Sequence, residues 1–384
     1  MIGGGGRMEA KSINAAEFFA GIGLVRTALE PLGVNIVWAN DIKQAKFDAY
    51  HANYPDAKDH FKVDDICNVE GSSLPSSVEL ATSSFPCIDL SLAGNRLGLV
   101  GKQSGMFWQF TRVIEEMSTR PRMVLLENVY GFATSHGGKD LTDALHRLSG
   151  LGYSLDVLAI DARHFVPQSR PRMFILGILK EELPKNAHVG VPETSDVRPA
   201  WVTKIHDSHH EDINMHYLDL PGLPEGPKDL RAIVEHDVPP GVWWDEQRVR
   251  AFVGSLSEGQ AARFETLRTA ESLSYRTAYR RTRQGVSMWE LRRDAIAGCL
   301  RTTGGGSSKQ ALVELGHGRE PRIRWMTPRE YANLMGAADY KLVAGTPNQQ
   351  LFGFGDAVVV DVVRWIGKNY LIPVLRPDNR PGDE

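Results

Sequence analysis

Asn14-Ala15-Ala16-Glu17-Phe18-Phe19-Ala20-Gly21-Ile22-Gly23 is the stretch that decides how this chain is read. A short apolar run breaks into two glycines one residue apart. That is the pattern of a strand ending where small residues let backbone approach a ligand. Asp41 stands eighteen residues after Gly23, behind a second apolar run, Asn35-Ile36-Val37-Trp38-Ala39. A carboxylate at that point can accept hydrogen bonds from ribose hydroxyls. A dinucleotide dehydrogenase wants a third glycine three residues past the second; Arg26 occupies that position, so NAD is disfavoured. Val63-Asp64-Asp65-Ile66 adds an acid placed to accept from an adenine amino group.

Outward from this stretch, residues 13–180 alternate apolar runs with helical ones. Met123–Leu126 and Met173–Ile178 read as further strands, Phe107–Met117 and Leu141–Leu148 as helices. The alternation predicts an α/β fold around a parallel sheet. At 384 residues the chain exceeds the roughly 250–300 at which one core stops growing, so a second, smaller domain is expected. The character changes near Pro184: Pro, His, Asp and Gly dominate to about Pro240, and a polar, Arg-rich, helical part follows to Arg301. Gly304-Gly305-Gly306-Ser307-Ser308 reads as a loop, Arg329–Met335 as a helix, and Ala357–Ile366 as a final apolar run.

Net charge is −3, but Arg248–Arg301 holds eleven Arg, no Lys and five acids, a local cationic patch of the kind that phosphates favour. Three cysteines, Cys67, Cys87 and Cys299, lie at no metal-ligand spacing; no metal is expected, and a reducing cytoplasm fits. No run approaches the roughly 20 apolar residues of a membrane span. The glycines after Met1 read as a leader without a signal sequence, and Met8 is a possible second start.

Three more constellations complete the set. Ser84-Phe85-Pro86-Cys87 holds a thiol behind a proline at a strand end. Leu125-Leu126-Glu127-Asn128-Val129 ends a strand in an acid. Gln168-Ser169-Arg170-Pro171-Arg172 sets two guanidiniums on alternate positions, hence on one face. In this order the pieces resemble the cytosine-C5 DNA methyltransferases. Phe19-Ala20-Gly21-Ile22-Gly23 is similar to the family's cofactor motif, Pro86-Cys87 to its nucleophile, Glu127-Asn128-Val129 to its Glu-Asn-Val, and Gln168, Arg170 and Arg172 to its Gln-x-Arg-x-Arg. Arg324 to Glu330 and Gly355-Asp356-Ala357-Val358 resemble the two motifs after the variable region.

The resemblance implies a Rossmann-like, doubly wound mixed sheet, the methyltransferase fold, with a smaller, mostly irregular target-recognition domain. Its expected divisions are a disordered leader (1–11), a catalytic and cofactor-binding domain (12–182), a target-recognition domain (183–321) and a return to the catalytic domain (322–384). It implies S-adenosyl-L-methionine as cofactor, double-stranded DNA as partner, a cytoplasmic, nucleoid-directed activity, and a possible cognate restriction endonuclease. By the family's roles Cys87 adds to cytosine C6, Glu127 contacts N3 and the amino group, and Arg170 or Arg172 contacts O2. The cofactor falls to Phe19, Ala20, Gly21, Gly23, Asp41, Ile42, Asp65, Ile66, Pro86, Asp356 and Val358. DNA falls to Ser91, Arg96, Gln168, Arg301 and Thr302, with Ser91–Lys102 similar to the family's mobile loop.

Two positions depart from the pattern. Ile88 stands where the family usually has Gln, and Asp356 where it usually has Asn. Asp caps helices about as well as Asn, so Asp356 is expected to cap a helix over Val358–Ile366. An RNA (tRNA) cytosine-C5 methyltransferase and a catalytically silent DNA-binding regulator remain the alternatives.

Overall fold

A chain that alternates short buried strands with helices closes on itself by laying the helices over both faces of one sheet. The computed structural model describes residues 12–86, 105–283, 285–302 and 309–377. Among them, seven strands form the main sheet: β1 (Ile13–Phe18), β2 (Val34–Asp41), β3 (Phe61–Val63), β4 (Leu80–Ser83), β5 (Met123–Val129), β6 (Tyr153–Asp161) and β7 (Pro171–Leu179). Their spatial order is β3-β2-β1-β4-β5-β7-β6. All neighbours are parallel except those of β7, which is antiparallel to β5 and to β6. The winding reverses between β1 and β4, so their carboxyl ends open the crevice in which such sheets bind ligands.

Helices Leu24–Leu29 and Val360–Ile366 pack on one face of this sheet, Met106–Glu116 and Lys139–Gly150 on the other. Strand β6 serves both by its period of two: Leu158 and Ile160 enter one core, Tyr153, Leu155, Val157 and Ala159 the other. Ser154 and Asp156 fall on the first face as well and are buried there. A buried carboxylate needs a partner. Arg198 supplies it, with Nη2 2.6 Å and Nε 3.2 Å from the Asp156 oxygens. His216 lies between Ser154 Oγ at 3.0 Å and the Tyr370 hydroxyl at 2.7 Å. This network binds residues 198–218 and the C-terminal helices to the sheet.

A second lobe is built on a four-stranded antiparallel sheet of order β11-β10-β8-β9, from β8 (Ser274–Arg283), β9 (Val286–Leu291), β10 (Gln310–Leu315) and β11 (Arg322–Trp325). Trp244, Phe252, Phe264 and Leu291 belong to its core, with Trp289 and Trp325 against it. The Arg-rich segment is therefore helical only to Arg268 and then forms strands. Tyr275, Thr277 and Tyr279 alternate with Arg276 and Arg280, and aromatic and β-branched residues suit a half-buried pleat. The lobe's limits also differ from 183–321. The helix Ala200–His209 places Val202 in the main core, and β11 carries the small sheet past residue 321. Among the described residues no helix is long and apolar enough to cross a membrane.

Burial pushes the His216 pKa from its ordinary value down to about 4. The unfolded chain therefore binds this proton first, and the stability His216 confers is present above about pH 6.5 and lost as pH falls toward 4. In urea unfolding, His216→Asn is expected to be less stable than the wild type at pH 8. That gap should narrow by about 3 kcal/mol as pH falls through this window; a gap independent of pH would contradict the assignment.

Candidate active site

The turn after β1 depends on left-handed backbone: φ is 55° at Phe19, 58° at Gly21 and 85° at Gly23. A Cβ on Gly23 would lie 2.8 Å from the Tyr50 ring, so conformation and space both require glycine. Ala20 N–H donates to Asn40 O (2.8 Å) and Gly21 N–H to Asp41 Oδ2 (3.1 Å), which fastens the turn to the end of β2. Asp41 is buried; its Oδ1 accepts Lys43 N–H (3.0 Å), and its Oδ2 lies 3.5 Å from the Lys46 ammonium. Lys46 also lies 3.2 Å from Asp356 Oδ2. Burial works against the Lys46 charge, but Asp41 and then Asp356 outweigh it and raise its pKa. Ile42, the next residue, is 60% exposed, and Asp65, which accepts Cys67 N–H (2.9 Å), follows β3 beside buried Ile66. Glycine backbone open to close approach, two carboxylates and an uncovered apolar side chain fit a nucleoside.

At the next strand ends, buried Asn128 donates from Nδ2 to Phe85 O (3.3 Å) and accepts Val129 N–H at Oδ1 (2.8 Å). It thereby holds Phe85–Pro86 against β5. Pro86 is half-buried. Cys87, Ser91 and Arg96 lie outside the described residues, as does Ile88. Glu127 Oε1 is 2.8 Å from Arg172 Nε, an ion pair between β5 and β7 with both side chains mostly shielded.

Arg170 and Arg172 share a face as expected: their Nη1 and Nη2 lie 3.4 and 3.8 Å from Cys299 Sγ. Their other partners separate them. Arg170 is buried and donates to three backbone carbonyls: Leu300 (3.0 Å), Gly355 (3.1 Å) and Ala357 (2.7 Å). Arg172 is paired with Glu127. Burial raises the Cys299 pKa, but Arg170 and Arg172 outweigh it, and the thiol sits below its usual value.

Two expectations need correction. Gln168 is fully buried, donating to Leu334 O (2.8 Å) and accepting Leu300 N–H (3.0 Å). Its amide organises protein backbone and is not offered to DNA. Arg170, expected among the catalytic groups, fills the junction of three chain segments through the carbonyls of Leu300, Gly355 and Ala357. Asp356 ends the helix Pro347–Asp356, whereas the following helix starts at Val360 with Val359 as its cap. Its carboxylate therefore caps nothing there and faces Lys46 instead. Val358 is buried in the first core. Arg301 is exposed, its guanidinium 5.9 Å from the Tyr279 ring. Thr302 is half-buried, and a Cβ on Gly355 would lie 2.7 Å from the Arg301 carbonyl carbon, so glycine permits this approach.

Sequence reading missed Lys46, Cys299 and the anchoring role of Asn128. Lys46 carries no motif; its only signal is the unusual acid at 356. The Arg324–Glu330 motif is structural: Arg324 binds both Glu330 oxygens (2.5 and 2.8 Å), and Glu330 closes a capping box with Thr327.

The description of the C-5 cytosine-specific DNA methylases matches residues 13–371. The Type II methyltransferase M.Bsp6I of Bacillus sp. (strain RFL6) is 26% identical over 362 residues, covering 93% of this chain and 98% of its own. M.HhaI of Haemophilus parahaemolyticus, also a Type II methyltransferase, is 23% identical over 92% of both chains. Among solved structures, the Entamoeba histolytica methyltransferase EhMeth superposes with a TM-score of 0.65 at 15% identity, covering 97% of this chain and 100% of its own.

Replacing Arg170 by Met would strand three carbonyls, two of them buried. The variant is expected to lose about 3 kcal/mol in urea unfolding; stability within 0.5 kcal/mol of the wild type, the ordinary range of surface substitutions, would mean that the junction does not depend on it.

Proposed function

The chain belongs to the C-5 cytosine-specific DNA methylase family, and we propose that it methylates cytosine in duplex DNA with Cys87 as nucleophile and the Glu127–Arg172 pair holding the base. It is a DNA cytosine-C5 methyltransferase, and its reaction needs a methyl donor. The residues after β1 and β2 fit S-adenosyl-L-methionine, which supplies an electrophilic methyl group on a sulfonium. Phe19, Ala20, Gly21 and Gly23 provide the close backbone, Asp41 the ribose contact, and Ile42, Asp65 and Ile66 the adenine side. Pro86, Asp356 and Val358 complete the enclosure.

Cytosine C5 is a weak nucleophile. Bond formation between the Cys87 thiolate and C6 shifts an electron pair toward C5, which can then attack the methyl group. Cysteine suits the step because its thiolate is strongly nucleophilic and accessible near neutral pH. Glu127 steadies N3 as it gains a proton, and Arg172 Nη groups offset charge developing on O2. Loss of the C5 proton then returns the electron pair and expels the thiolate. The base must leave the stack to reach this site, at a cost of a few kcal/mol.

The single observation that carries this reading is the 2.8 Å Glu127–Arg172 pair beside the Asn128-anchored Phe85–Pro86 segment. Acid and guanidinium lie next to the residues that lead directly into Cys87. Arg170 supports the site by holding its walls. The small lobe is the natural target-recognition unit: Arg280, Arg281, Arg293 and Arg301 are exposed on it or beside it and suit phosphate contacts. A cytoplasmic setting and a cognate endonuclease accord with the Type II relatives.

Tritium transfer from labelled S-adenosyl-L-methionine to duplex DNA and to tRNA tests the assignment. Label is expected on DNA, absent with Cys87→Ser, and reduced about a hundredfold or more in kcat with Glu127→Gln. Label on tRNA alone, or label persisting with Cys87→Ser, would overturn it.

A further inference from the structure

Lys46 gives the acid at 356 a purpose. An ionised carboxylate offers about four lone-pair sites, two on each oxygen. On Asp41, Oδ2 is engaged by Gly21 N–H at 3.1 Å and faces the Lys46 ammonium at 3.5 Å, while Oδ1 is engaged by Lys43 N–H at 3.0 Å. Among the described residues, one site on Oδ1 remains. A ribose diol that binds through both oxygens needs a second site, and that site must come from Oδ2. Gly21 N–H is fixed by the glycine turn. Lys46 is a point charge on a flexible four-carbon stem and can leave.

Its alternative partner is already in place. The ammonium lies 3.2 Å from Asp356 Oδ2, closer than it lies to Asp41. Asp356 does not cap the helix that follows it, so its carboxylate is available to this cation. Resting on the reading of Asp41 as the ribose contact, we infer that Lys46 is a displaceable cation: it neutralises Asp41 in the free protein and passes to Asp356 when a ribose diol takes its place. A neutral Asn at 356 would leave the displaced ammonium without a carboxylate, in a place where the side chain is largely shielded from water. Lys46 and Asp356 are thus positioning residues for cofactor binding.

Calorimetric titration of the whole protein with S-adenosylhomocysteine, and with its 2′,3′-dideoxy analogue, tests the exchange without relying on turnover. Asp356→Asn is expected to weaken S-adenosylhomocysteine binding about fivefold, the coupling of a partly shielded ion pair. Adding Lys46→Ala to that variant should restore affinity, because no cation then has to be rehoused. The dideoxy analogue should bind wild type and Asp356→Asn equally. Thermal unfolding of each variant checks that the fold is kept. Unchanged affinity in Asp356→Asn, or the same loss with the dideoxy analogue, would overturn the exchange. The ribose reading has its own control: if Asp41→Asn binds S-adenosylhomocysteine as tightly as the wild type, that reading fails and the exchange falls with it. If Asp41→Asn is weakened and Asp356→Asn is not, only the exchange falls.

Discussion

The guanidinium of Arg170 is the interaction on which the rest of this molecule depends. It is buried, and it donates to the carbonyls of Leu300, Gly355 and Ala357. These belong to two segments 130 and more residues from Arg170 along the chain, one between β9 and β10 and one entering the last helices. Irregular backbone inside a protein carries carbonyls that must be satisfied. A single planar donor with several N–H groups does this where no strand or helix could. Gly355 completes the junction by allowing Arg301 and Thr302 to pass within contact distance.

From that junction the two charged sites take their geometry. Arg172, two residues along the same face, is left to pair with Glu127, and Cys299 lies within reach of both guanidiniums. Across the crevice, Asp356 is carried by the Gly355–Ala357 segment that Arg170 holds, so its distance to Lys46 and through it to Asp41 is set by the same clasp. The catalytic and cofactor ends are thus coupled by backbone fixation. Each then tunes its own charges locally.

Much of this was legible in the chain. Apolar runs of strand length ending in Gly, Asn or Asp gave the main sheet, because burial on both faces leaves little room for other patterns. Alternation placed Arg170 and Arg172 on one face. Their different duties were not legible, since those depend on carbonyls more than a hundred residues away. Gln168 misled for the same reason: an amide in a motif is equally suited to backbone and to DNA. Asp356 reads as a cap only for a helix beginning at Val358, and the helix begins two residues later, at Val360. The strands after Arg268 were obscured by their arginines, although Tyr275, Thr277 and Tyr279 carried the period of two. Lys46 had no signature beyond the unusual acid at 356, being meaningful only once the helix Gln44–Asn53 and the helix Pro347–Asp356 are neighbours.

Cys87, which directly follows the Asn128-anchored Phe85–Pro86 segment in the chain, is the residue proposed to form the bond to the base. Cys299 is the natural rival, because the two arginines depress its pKa. Duplex DNA containing 5-fluorocytosine separates them: fluorine cannot leave C5 as a proton does, so the adduct persists after methyl transfer. Peptide mapping of the trapped complex by mass spectrometry should then place the nucleotide on Cys87. An adduct on Cys299 or Cys67, or a complex that carries no covalent nucleotide, would contradict the account.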